Sequence, residues 1–246
     1  VEGKDSKFIG KDAHELAGCS KKGIKISNDL INAAKHSEAF IDFSSIESTL
    51  HASEISAQAR IVHVIGTTGF SIEQEEIIKA AARHATVIKS GNMSLGINIL
   101  LGVVQNITKL VDDNWAIEIS EIHHKEKKDH PSGTALALGA SVAKGKKIDL
   151  EENKVIDDPI IDAVDINLTK IRKNVVRKKD DIGFSSYRKD GVIGDHSVIF
   201  SSENERIALT HIAKNRNIFA NGALKAALWG QNKKPGLYSM QDVLGF

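Results

Sequence analysis

His123, His124, Lys127, Ser132, Gly133 and Thr134 fall within one run, Glu121-Ile122-His123-His124-Lys125-Glu126-Lys127-Lys128-Asp129-His130-Pro131-Ser132-Gly133-Thr134-Ala135. Histidine titrates near pH ~6.5, so an imidazole here suits general-acid work at neutral pH. Successive strand residues face opposite ways, so His123 and His124 can serve one spot only where a strand ends. One ring is then free to move a proton while the other contacts substrate or packs. Lys127 adds a fixed cation. The free N–H groups of a helix start at Ser132-Gly133-Thr134, carrying roughly half a positive charge, form a cradle for a carboxylate or phosphate. Gly133 lets a ligand approach the backbone closely. These types at this spacing describe a site for a small anionic substrate that must be protonated.

Each feature also has a plainer explanation. A His-His pair on a strand can be structural or exposed, and Lys125, Glu126, Lys127 and Lys128 can be a solvated loop. Ser132-Gly133-Thr134 can be a helix cap and nothing more. A metal site would draw on His123, His124, Asp129 and His130, but the interleaved lysines oppose a cation and no second ligand cluster stands out. Proton transfer ranks above metal, and no metal is expected.

Positioning these groups falls to a strand and a helix. Residues 115–122 alternate, with Ile117 and Ile119 on one face and Glu118 and Ser120 on the other. Residues 135–143 have a helical pattern, with Ser132 or Thr134 placed to cap the start. Upstream, residues 1–3 read as the tail of a strand ending in an acid, 23–27 as a short strand, 28–36 as a helix and 39–43 as a buried strand. Ser44 to Glu47 forms a capping box that opens the next helix. A strand over 61–65 ends in Gly66-Thr67-Thr68-Gly69-Phe70. A second capping box, Ser71 to Gln74, starts a helix to about His84, and a strand over 86–89 ends in Ser90-Gly91-Asn92-Met93-Ser94. The alternation predicts a parallel, doubly wound sheet, whose ligands sit at the carboxyl ends of its strands. After a long apolar helix over 94–112 and the histidine strand, residues 145–161 are charged and turn-rich. The basic stretch 170–179 suits a solvated face or a subunit contact better than nucleic acid. Strands over 182–187, 197–201 and 206–213 predict a mixed or antiparallel sheet, and Arg216 opens a helix to Trp229.

The 246 residues fit one large domain or two modest ones. With 33 basic against 32 acidic residues, no global field draws the chain to nucleic acid or a membrane. Aromatic content of 5% weighs against base-stacking single-strand binders. One cysteine, Cys19, permits no intrachain disulfide and suits a reducing compartment. No apolar run is long enough to span a membrane, and a cytoplasmic enzyme is expected.

Glu-Ile-His-His, then Lys127, Asp129 and Pro-Ser-Gly-Thr-Ala, resembles the signature of the 4-hydroxy-tetrahydrodipicolinate reductases, also called dihydrodipicolinate reductases. One departure is His130, where that family usually has a small residue. The resemblance extends over nearly the whole chain and includes the run 92–98, Gly191 to His196 and Leu209-Thr210-His211. It implies a Rossmann-like nucleotide-binding domain over 1–94 and 217–246, and an α+β substrate and oligomerisation domain with a mixed sheet over 95–216. It implies hydride transfer from NADH or NADPH to a cyclic imine dicarboxylate, giving tetrahydrodipicolinate in the diaminopimelate route to lysine. His123 would be the proton donor and Lys127 its cationic partner. His124, Lys127, Ser132, Gly133, Thr134 and Arg216 would hold the substrate carboxylates. Glu2, Phe43, Gly66, Thr67, Thr68, Ser90, Gly91, Asn92 and Met93 would contact the cofactor, with Glu2 on the adenosine ribose. Gly3 and Lys4 follow Glu2 where the family often has arginine, so the choice between the two cofactors stays open. The chain has no G-x-G-x-x-G, and the resemblance implies that roughly three dozen residues, carrying the first strand, glycine loop and helix, precede Val1. Without them weak cofactor binding is expected. A homotetramer is the implied assembly. Two other readings are a different two-domain NAD(P) dehydrogenase and a non-catalytic nucleotide-sensing module.

Overall fold

Val62-His63-Val64-Ile65 is buried at every position, the pattern of a strand covered on both faces. It is β2 of a computed structural model that describes residues 1–161, 166–169 and 178–246. The chain divides into two units, Val1–Ser90 with Leu224–Ser239, and Gly91–Ala223 with Met240–Phe246. Residues 217–223 and 240–246 thus group with the second unit, whereas the expected boundary placed all of 217–246 with the first.

In the first unit, helices α1 (Ala13–Leu16) and α2 (Leu30–Lys35) precede β1 (Ala39–Asp42), α3 (Ile46–Ala59), β2 (Val62–Ile65), α4 (Ile72–Ala81) and β3 (Thr86–Lys89). β1, β2, β3 and the late strand Gly236–Tyr238 lie side by side in that order, all parallel. Ile65 and Val87 pack with Ile78, Ala82 and Ala85, and Phe40 packs with Ala34, Ala52 and Ile55. The expected capping box at Ser71–Gln74 forms in full. The one expected at Ser44 does not. The Ser44 hydroxyl donates to Asp42 Oδ1 (2.5 Å), so Ser45 caps α3 instead, accepting from the Ser48 amide (3.3 Å). The strands expected at 1–3 and 23–27 are also absent: Glu2 donates its amide to the Ser27 carbonyl (2.9 Å), and Lys25 makes only an isolated bridge with Asp12. These segments are largely exposed, Ile24 at 59%.

In the second unit, α5 (Leu95–Thr108) leads to β4 (Ala116–His123), α6 (Gly133–Lys146), the short α7 (Leu150–Asn153), β5 (Lys154–Ile156), β6 (Ile160–Ile161), β7 (Ile182–Arg188), β8 (Asp195–Ser201) and β9 (Arg206–Ile212). Helix α8 (Asn217–Gly230) straddles the division between the units, and α9 (Met240–Leu244) closes the chain. The sheet runs β5-β7-β4-β8-β9, with β6 also pairing with β7. β4 is parallel to β7 and antiparallel to β8, so the sheet is mixed. One face of β4, carrying Ile117 and Ile119, packs with Leu138 and Val142 of α6, Leu100 and Val104 of α5, Phe184 and Phe200. The same face ends in Glu121 and His123, which raises those two polar groups at the edge of an apolar core. Of the basic stretch 170–179, residues 170–177 lie outside the described residues; Lys179 Nζ pairs with Asp113 Oδ2 (2.7 Å). Among the described residues, no helix is long and apolar enough to cross a membrane.

Candidate active site

The strand runs one residue further than its alternation predicts, so His123 lies within β4 on the same face as Glu121. The register sets His123 beside Arg188 on β7 and Glu121 beside His196 on β8. Three strands thus bring four polar side chains together, and all four are at least 92% buried. His123 Nδ1 donates to Glu121 Oε2. The other carboxylate oxygen, Oε1, accepts from Arg188 Nη1 (3.1 Å). Arg188 gives three more of its N–H groups to backbone carbonyls: Nη1 to Tyr187 (2.7 Å), Nε to Lys127 (3.2 Å) and Nη2 to Asp129 (2.7 Å). One guanidinium therefore ties the buried carboxylate to the loop after β4.

Charge in the cluster is divided. Burial raises the proton affinity of Glu121, but the hydrogen bond from His123 and the charges of His123 and Arg188 outweigh it, and the carboxyl is held below its ordinary range. His196 is the reverse case. Burial first, then the charge of His123, pushes its ring down to about 3. The two rings meet edge to face with centroids 5.1 Å apart. His196 is thus neutral beside His123, and environments that push neighbouring titratable groups apart are what separate an acid from a bystander.

Ser132 caps α6, its Oγ accepting from the Ala135 amide (3.1 Å), and also bonds His196 Nε2 (3.1 Å). Gly133 is exposed, with no protein atom within 4 Å of where a Cβ would sit. Thr134 Oγ1 accepts from Asn92 Nδ2 (3.1 Å). A cavity of about 70 Å³ is lined by Asn92, His123, Thr134, Gly194, His196 and His211, among others. A Cβ on Gly194 would lie 2.7 Å from His123 Nε2, so the bare backbone is what allows this close approach. Lys127 Nζ pairs with Asp129 Oδ1 (2.8 Å). Lys127, His124 and Arg216 do not line the cavity. His124 is half-buried, its carbonyl accepting the Lys127 amide (3.2 Å), and Arg216 is exposed just before α8.

The expected cofactor residues fall in both units. In the first, Glu2 is exposed, and Gly66 sits at the carboxyl end of β2 against the Phe43 ring, which a Cβ there would overlap at 2.2 Å. Thr67 is buried, its Oγ1 accepting from Thr49 (2.9 Å), and Thr68 is exposed. The Ser90 amide donates to the Ile65 carbonyl (3.1 Å). In the second unit, Gly91 is exposed and Met93 is 1% exposed.

Glu121, His123 and His196 offer a carboxylate and two imidazoles with ligating atoms within 4.8 Å of one another. Arg188 already neutralises that carboxylate, and a cation there would face the guanidinium. The arrangement suits proton transfer better. Arg188, His196 and His211 carry no expected site role, because they come from strands far along the chain. The signal for Glu121 was its spacing of two from His123, which on a strand means a shared face.

Residues 1–93 match the family description "Dihydrodipicolinate reductase, N-terminus", and residues 96–244 match "Dihydrodipicolinate reductase, C-terminus". The chain is 50% identical to the 4-hydroxy-tetrahydrodipicolinate reductase of Parvibaculum lavamentivorans, over 100% of this chain and 86% of that protein. It is 49% identical to the enzyme of the same name from Rhizobium rhizogenes, over 98% and 84%. In fold it is similar to the dipicolinate-bound dihydrodipicolinate reductase from Paenisporosarcina, with a TM-score of 0.71, 21% identity, and 97% and 86% of the two chains covered.

Proposed function

The chain belongs to the dihydrodipicolinate reductase family, and from that premise we infer that it reduces 4-hydroxy-tetrahydrodipicolinate to tetrahydrodipicolinate with NADH or NADPH, in the diaminopimelate route to lysine. The observation that carries the reading to a mechanism is the buried His123–Glu121 pair beside a small cavity, next to the open N-terminus of α6.

The nicotinamide, when bound, supplies the hydride. The first unit fits such a group: its strands are parallel, and the Gly66-Thr67-Thr68-Gly69 loop lies at the carboxyl end of β2 with Thr67 pinned beneath and Thr68 exposed. We assign dinucleotide binding to this unit, through Glu2, Phe43, Gly66, Thr67, Thr68 and Ser90, with Gly91, Asn92 and Met93 from the following loop. Substrate binding and subunit assembly go to the second unit.

With the 4-hydroxyl leaving as water, reduction of the ring requires a proton as well as a hydride. His123 supplies it from Nε2, since Nδ1 is committed to Glu121. The amides of Gly133 and Thr134, at the positive end of a fourteen-residue helix, receive one carboxylate. Lys127 reaches the substrate by leaving Asp129, an exposed pair that costs little to break. His124, Ser132 and Arg216 complete the contacts. The paired dicarboxylate ligand, a homotetramer and a cytoplasmic location belong to the same proposal.

The test is an assay of the purified protein with the cyclic substrate, made in place by the preceding condensing synthase, following oxidation of NADH and of NADPH separately. Turnover with either cofactor is expected. Cofactor binding without turnover, with the substrate shown to be present, would defeat the reading.

A further inference from the structure

An imidazole that donates a proton must present one nitrogen and keep that nitrogen protonated until substrate arrives. What surrounds His123 bears on both. From its own strand comes Glu121; from β7, Arg188; from β8, His196; from β9, His211; and from the loop, the Lys127–Asp129 pair. Asp195, also on β8, is taken up by the Ala213 amide (3.0 Å). Helix α6 brings only the hydroxyls of Ser132 and Thr134. Of all these, Glu121 alone bonds the ring.

We propose that Glu121 is a positioning residue of this reduction, holding His123 with its proton on Nδ1 and Nε2 toward the substrate. The proposal deepens the reading of His123 as the acid and rests on it. A carboxylate on one imidazole nitrogen fixes the tautomer and ring orientation and stabilises the charged ring, the division of labour found wherever a His–carboxylate pair serves proton transfer. Arg188 makes this workable in a buried site. Its contact with Oε1 keeps Glu121 charged, and leaves Oε2 for the ring. His196, neutral through burial, does not compete for the carboxylate. On the Nε2 side Gly194 has no side chain to crowd the ring.

Glu121→Gln keeps the shape and an oxygen acceptor but removes the charge. Its kcat should fall about 10- to 100-fold with KM within about twofold. A kcat at the wild-type level would overturn the proposal. In a His123→Ala background the same change should alter the rate by less than twofold, because the ring it serves is gone; an additive loss would also overturn it. If Glu121→Gln does not fold, imidazole nitrogen NMR on the wild-type protein decides: the neutral His123 ring should carry its proton on Nδ1, and a proton on Nε2 refutes the idea. His123→Ala separates the two levels. Near-wild-type turnover by that variant removes the acid itself, whereas a crippled His123→Ala beside a Glu121→Gln of wild-type kcat removes only the role given to Glu121.

Discussion

A buried imidazole proposed as the proton donor and a half-buried cation lose different things when removed. His123 is 8% exposed and committed at Nδ1, so its truncation removes the proton and little of the binding surface. His123→Ala should lower kcat by about 10²–10⁴ with a modest change in KM. Lys127 is half-buried and, once free of Asp129, faces charge on the substrate. Lys127→Ala should lower kcat and also raise KM, since a charged hydrogen bond contributes about 1.5–3 kcal/mol. Steady-state kinetics at saturating cofactor distinguish the two patterns. Equal KM effects in both variants would reverse the roles.

At the scale of elements, α6 carries the prediction that can be made most cleanly. Its start is built by Ser132, whose hydroxyl is spent on the Ala135 amide and on His196, leaving the next amides to a ligand. A Cβ on Gly133 would meet open space, so a side chain can be started there without displacing its surroundings. Gly133→Val should leave thermal stability and cofactor affinity close to wild type while raising KM for the dicarboxylate at least tenfold, by crowding the amides. Calorimetry with dipicolinate as a substrate mimic measures this directly. Unchanged affinity for it would move the carboxylate site away from α6.

Across the whole molecule, the two units carry different acid sensitivities, and each holds one of the two tryptophans: Trp115 in the second and Trp229 in the first. In the second unit, His196 is pushed down to about 3 when folded, against ~6.5 for a free histidine. The unfolded chain takes up that proton first, so stability of this unit declines as pH falls from ~6.5 toward about 3. In the first unit, Asp42 stays charged through its bonds to His63 and Ser44 despite burial, and its carboxyl is lowered to about 2. Its contribution, about 2 kcal/mol, is intact above pH ~4 and lost as pH falls through about 2. Denaturant unfolding followed in Trp115→Phe and Trp229→Phe variants should therefore show the Trp115 signal losing stability near pH 5 while the Trp229 signal holds. Coincident acid transitions would refute the separation.

Sequence alone determined the elements that depend on near neighbours. The alternation in β4, the strand β2, the Ser71–Gln74 box and a cap at Ser132 or Thr134 need only residues a few positions apart, and the run from Glu121 to Ala135 is enough to raise the expectation of an anionic substrate that must be protonated. The Ser44 box fails because a carboxylate two residues back, Asp42, claims the hydroxyl, and the short exposed segments near the start form no strands because pattern without burial does not make one. What tertiary structure decided was partnership. Arg188 and His196 reach His123 and Glu121 only through the register of β7 and β8 on either side of β4, contacts between residues more than sixty apart. No local signal marks such pairs, since a strand's neighbours are chosen by the packing of the whole sheet. It is that packing which removes water from the cluster and so makes one histidine neutral and leaves the other beside a charged carboxylate.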